Sequence, residues 1–168
     1  MNHRAPHWLK ASLAVAVATI SLGRVALSQC PELQPPAKSM LALHVFASGV
    51  QIYRWSGTGW VFVAPEATLF ADAAGARKVG THSAGPTWAS DGGGTVVGTV
   101  LRRCTPDSTS VPWLSLGASG AGTGVFRGVT FIQRMQTGGG VAPAAPGTGA
   151  GEEARVPYRA EYLFYMKM

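Results

Sequence analysis

An all-β fold, a single-domain antiparallel β-sandwich or barrel with little helix, is what the sequence predicts, and three observations carry that expectation. The hydrophobic period is two, the spacing that sends alternate side chains to opposite faces of a strand. Glycine and proline are frequent, 22 and 11 of 168 residues, which interrupts helices and suits tight turns between strands. Charged residues make up only 13%, well under the share of an ordinary soluble domain, so there is little to clothe long solvated helices. With 46% hydrophobic residues the chain can pack one core, and wholesale disorder is excluded.

The last strand is the clearest element. Tyr158, Ala160, Tyr162, Phe164 and Met166 fall on one face, and Arg159, Glu161, Leu163, Tyr165 and Lys167 on the other. Shorter runs at Leu41 to Ala47, Val50 to Trp55, Trp60 to Ala64, Thr95 to Leu101, Trp113 to Leu116 and Val125 to Arg134 are each bounded by Gly, Pro, Ser or Asp, the residues that end strands in turns. A helical turn near Ala71 to Gly75 is the most helix the pattern allows. Thr137 to Gly151 carries no charge and no large side chain, so it reads as a flexible Gly/Ala/Pro loop before the final strand. Gly120, Gly122 and Gly124 lack both the spacing and the following helix of a dinucleotide fingerprint.

Residues 1 to 28 read as a signal peptide. Arg4 and Lys10 precede the apolar run Ala11 to Gly23, and Ala26-Leu27-Ser28 offers small residues for cleavage before Gln29. The run is too short to span a bilayer comfortably, which takes about 20 apolar residues. Arg24 leaves a retained anchor as the competing reading, and Gln29 before Cys30 fits a lipoprotein site poorly. After cleavage, residues 29–40 form an N-terminal extension and 41–168 the single domain, with 137–151 as its flexible loop. The chain carries a formal charge of +6, and loss of Arg4, Lys10 and Arg24 brings it to +3. What remains is scattered, with Arg77-Lys78 and Arg102-Arg103 the adjacent pairs, which excludes a nucleic-acid patch. No other stretch is long enough for a membrane span. The expected location is secreted or periplasmic.

Cys30 and Cys104 are the two cysteines, and export favours pairing them. The bridge would close a 74-residue loop, worth about 4 kcal/mol in the chain-entropy treatment. Against it stands the nearness of Cys30 to the new terminus, where chains are often loose.

Six phrases in order, Ala47 to Tyr53, Trp60 to Ala67, Val79 to Trp88, Val111 to Leu114, Phe131 to Arg134 and Val156 through Tyr165, resemble the secreted bacterial and fungal family known as domain of unknown function 3455. The resemblance runs from about Leu41 to Tyr165. It implies export and a single domain of this length, with no established activity. The chain departs from the pattern where the family leads one to expect Cys near Trp55, an acid at Ala89, a hydroxyl at Gly93 and Cys within Ala142 to Gly149. Joint loss of the two family cysteines implies that they pair with each other elsewhere in the family, and that Cys30 and Cys104 do not inherit that bridge.

Few residues can do chemistry. After cleavage the histidines are His44 and His82, with eight carboxylates. His44 lies in a strand run and reads as a hydrogen-bonded strand residue. His82 lies in Gly80-Thr-His-Ser-Ala-Gly-Pro-Thr-Trp88, read as a turn, and loops hold functional groups more often than cores do. Thr81 to Gly85 imitates a nucleophile elbow but lacks the following helix. His82, Asp91, Glu66 and His44 are the available metal ligands, with no local chelate spacing among them. Asp91 doubles as a turn former, and Trp88 is either a core plug or a platform for a carbohydrate or apolar ligand. The expectation is therefore a ligand-binding or envelope-associated protein, with His82, Trp88, Asp91 and Glu66 as ligand-binding residues on a surface formed by Gly80 to Asp91. An unidentified small molecule or carbohydrate is its partner. The alternative is a metal-dependent redox or hydrolytic enzyme centred on His82; the sequence names no cofactor and no catalytic residue.

Overall fold

In the computed structural model, residues 29–120 and 122–168 are described, and they form a closed eight-stranded antiparallel barrel. The strands are β1 (Ser39–Trp55), β2 (Trp60–Phe70), β3 (Lys78–Ser83), β4 (Thr87–Ser90), β5 (Thr95–Cys104), β6 (Trp113–Ala118), β7 (Val129–Gly139) and β8 (Glu153–Lys167). Each pairs with its neighbour in the chain, and β8 returns to pair with β1 from Ser39↔Lys167 to Arg54↔Glu153. That last ladder leaves no open sheet edge, which would otherwise be a template for aggregation. The signal-peptide expectation for 1–28 lies outside the described residues.

Alternation places the core. Val45 and Ala47 on β1, Ala67 and Leu69 on β2, Leu114 and Leu116 on β6, and Tyr158, Ala160, Tyr162 and Phe164 on β8 point inward into one cluster. The face expected for β8 is thus the buried one, with Met166 partly covered at its end. Phe126, in a short 3-10 turn at Gly124–Phe126, is buried toward one end of the barrel and packs on Phe164 with ring centroids 5.0 Å apart. Toward the other end Gly140 lies against Tyr158, Gln51 and Val111. The helical turn expected near Ala71 is a bend in which Asp72 accepts from the Ala76 and Arg77 amides.

Two runs read separately, Leu41 to Ala47 and Val50 to Trp55, are one strand. Gly49 is no break: a Cβ there would fall 2.1 Å from the Glu66 carbonyl oxygen, so glycine is required where β1 and β2 cross closely. The same holds at Gly80, whose Cβ would meet the Ala89 carbonyl oxygen at 2.2 Å. The Gly80 to Asp91 segment, expected as a turn, is therefore mostly the β3–β4 hairpin, with His82 paired to Trp88, Ala84-Gly85-Pro86 turning between the strands, and Asp91 opening the next turn as expected of it.

Outside the barrel, the extension is fastened to the wall. Cys30 and Cys104 form a disulfide, and Cys30 and Leu33 are buried against Trp113 and Met135. Gln133 Nε2 donates to the Leu33 carbonyl at 2.6 Å while its Oε1 accepts from Tyr165 at 2.8 Å. The Gly/Ala/Pro loop is also seated. Trp60 Nε1 donates to the Ala145 carbonyl at 2.9 Å, Tyr53 OH donates to Gly140 O at 2.7 Å, and Gly147 lies on Trp55. Its anchors are aromatic side chains supplied by the β1–β2 hairpin. Trp60 is accordingly a rim residue, edge-on to Trp55 at 5.4 Å. Trp55 and the loop meet where the family resemblance implies a cysteine pair.

Candidate functional site

The four residues singled out from the sequence do not share a pocket. His82 and Trp88 come together, stacked at 4.5 Å and 10°, but inside the barrel, 3% and 0% exposed. Glu66 lies on the outer wall and accepts from Arg155 Nη2 at 2.7 Å. Asp91 sits on the surface 3.4 Å from Lys78 Nζ. Exposed ion pairs of this kind contribute little to stability, and neither carboxylate faces the imidazole. A hairpin that turns His82 and Trp88 inward takes them off the ligand-facing surface for which they were singled out.

His82 is a neutral base in its resting form. Burial pushes its pKa down to about 4, the Thr87 carbonyl at 2.9 Å from Nδ1 opposes that shift, and the Arg134 charge adds to it. Because a carbonyl only accepts, Nδ1 carries the proton and Nε2 the lone pair. His82 belongs to no cluster of three metal-ligating side chains among the described residues. The cluster that does form, Cys30, Glu32 and Cys104, contains the two sulfurs of the disulfide, which are spent on each other.

A groove of about 950 Å³ lies on the outer wall across β2, β1, β8 and β7. Its floor is apolar, with Phe46 opposite Phe70 across the β1–β2 ladder and Leu163 beside them. His44 and Phe46, two apart on β1, share the outward face, and their rings are 4.6 Å apart. His44 Nε2 donates to Glu161 Oε2 at 2.8 Å, both groups about one-third exposed. Asp72 on the facing bend has its carboxyl held below the usual range, chiefly by the Ala76 amide and further by that of Arg77. On the β7 side, a bulge between Met135 and Gly138 delivers Gln136 and Thr137 to the groove. Gln136 has φ +49°, a left-handed conformation that costs a non-glycine residue roughly 1 to 2 kcal/mol and that bulges commonly use to re-aim a side chain beside a site.

His44 has the hydrogen bond expected of a strand histidine. What the sequence concealed was the partner 117 positions away, set by the β1–β8 pairing. The available signal was Glu161, the acid on the outward face of β8 between Arg159 and Leu163.

The fold and groove together define a small closed-barrel protein with an external groove and a tethered N-terminal arm. Among the described residues no helix is long and apolar enough to cross a membrane, and the disulfide fits an oxidising, extracellular setting. The chain belongs to the family described as "Protein of unknown function (DUF3455)", whose model matches residues 36–166. No curated protein and no solved structure matches it.

Proposed function

We propose that this is an exported binding protein that takes a small molecule with an apolar face and several hydroxyl groups, the chemistry of a carbohydrate, in the groove over Phe46 and Phe70. The observation that carries the reading is the His44–Glu161 hydrogen bond set above an aromatic floor. Concave, mostly apolar sites with a few convergent polar groups are the usual form of small-ligand sites. Aromatic faces suit the C–H faces of sugars, while Glu161, Gln136 and Thr137 offer acceptors and donors for hydroxyls. Export is supported by the Arg4 to Ser28 pattern and by the Cys30–Cys104 bridge.

Calorimetric titration with a panel of mono- and disaccharides tests the site. Saturable binding by at least one sugar, lost in Glu161→Gln and weakened in Phe46→Ala, is the expected result. Binding that is equal in both variants, or absent across the panel, refutes it. Mass spectrometry of the protein recovered from culture medium or periplasm tests export, with Gln29 as the expected new terminus; full-length chain in the membrane is the contrary result.

A further inference from the structure

The barrel interior carries an excess of donors. Gln51 Nε2, Trp88 Nε1, Tyr158 OH and Tyr162 OH are each buried with no protein partner of good geometry. Buried polar groups are nearly always bonded, so four in one place require an explanation. They are contiguous. Trp88 stands edge-on to Tyr162 at 5.2 Å between centroids, the Tyr162 hydroxyl lies alongside Arg134 and Tyr158, and Tyr158 lies beside Gln51. These neighbours approach one another without closing well-formed bonds.

All four can donate, and the amide nitrogen and indole can only donate. Arg134 adds charge. It pairs with Tyr162 across the β7–β8 ladder, on the inward face two residues on from Ile132, and its Nε and Nη2 both donate to the Pro112 carbonyl at 3.0 and 2.8 Å. Among the described residues Arg134 makes no ion pair, and no carboxylate is buried. A part-buried guanidinium with no countercharge stands beside two groups that can only donate and two hydroxyls free to turn their protons toward an anion, and the neutral His82 Nε2 brings a lone pair but no charge, so the net charge of the site is positive.

We infer that the barrel core holds a small anion, of halide size, between Arg134, Tyr162, Tyr158, Trp88 and Gln51. Size follows from the packing: the donors lie among fully buried side chains, with Phe126 on Phe164 toward one end and Val111 and Gly140 on Gln51 and Tyr158 toward the other, which suits a small ion better than a larger molecule. The role is structural, since an anion satisfies the donors and balances the guanidinium together. This site is separate from the groove, and either can fail without the other.

The test uses the whole mature protein, exchanged into sodium isethionate and melted at one ionic strength in isethionate, chloride and bromide. Chloride and bromide should raise Tm saturably, by about 5 °C at tenfold excess over the dissociation constant, while isethionate should not. Tyr162→Phe and Gln51→Met, which remove donors at nearly constant volume, should reduce the rise. Crystals grown in bromide should show an anomalous peak within hydrogen-bonding distance of Trp88 Nε1 and the Tyr162 hydroxyl, an arm that needs no variant to fold. Equal melting in all three salts, or bromide absent from the interior with ordered water joining the same donors, overturns the inference.

Discussion

Replacing Cys30 and Cys104 together by alanine should destabilise the protein by about 4.4 kcal/mol at 25 °C. The figure comes from the 74-residue separation of the bridged residues, through the entropy of closing a loop of that length in the unfolded chain. With an unfolding entropy of about 2.1 cal/mol/K per residue over a domain of about 140 residues, the melting midpoint should fall by about 15 °C. The urea midpoint should fall by about 2 M if the denaturant slope is about 2 kcal/mol/M. A spectroscopic mark should accompany the loss. Cys30 and Leu33 cover Trp113, so loosening of the arm exposes that indole and shifts its emission to the red, and it deprives Gln133 Nε2 of the Leu33 carbonyl. Urea titrations of wild type, the double variant and reduced wild type measure these effects. A double variant within about 1 kcal/mol of wild type would show that the arm and barrel are coupled by packing alone and that the loop-entropy argument does not apply here.

Three further outcomes follow from the core and the rim. Trp88→Ala should cost about 3 to 5 kcal/mol by urea titration, because the indole is fully buried between His82, Tyr162 and Phe164; a loss under about 1 kcal/mol would place the ring on a surface. His82 should make folding sensitive to acid: its folded pKa of about 4 lies below the ordinary 6.5 of a histidine, so the unfolded chain binds the proton first, and stability present above pH 6.5 declines as pH falls toward 4, by about 3 kcal/mol in all. His82→Gln should flatten that slope in melts taken across the window, and an unchanged slope assigns it to other groups. Deleting Pro143 to Gly149 removes the Ala145 acceptor and the cover over Trp55, so it should cost about 1 to 2 kcal/mol and redden tryptophan emission, whereas an unshifted spectrum would mean that the loop does not shield the pair.

Strand β8 was legible because it alternates without interruption over its central residues. β1 and β3 were not, because Gly49 and Gly80 look like breaks to a reader of local pattern. Their reason is a backbone across the ladder, in β2 and β4, and nothing near them in the chain reports it. His82 followed from the same error: once Gly80 is taken as a turn, the imidazole is assigned to the surface. The groove was hidden for a related reason, since Phe46, Phe70, Glu161 and Gln136 are brought together by three ladders.

What the sequence by itself determined is local or compositional: the period of two that makes strands, the turn residues that bound them, the two cysteines available to each other, and the phrases shared with the family. Only the tertiary structure decided that the sheet closes as a barrel. Closure rests on the β1–β8 ladder, whose partners lie over 98 positions apart, and alternation in either strand is equally compatible with a sandwich. It also decided which of the candidate polar residues meet. An alternating strand states that its two faces differ, while which face encloses the core, and which carboxylate, imidazole or guanidinium then stands opposite, is set by register between strands that no local pattern contains.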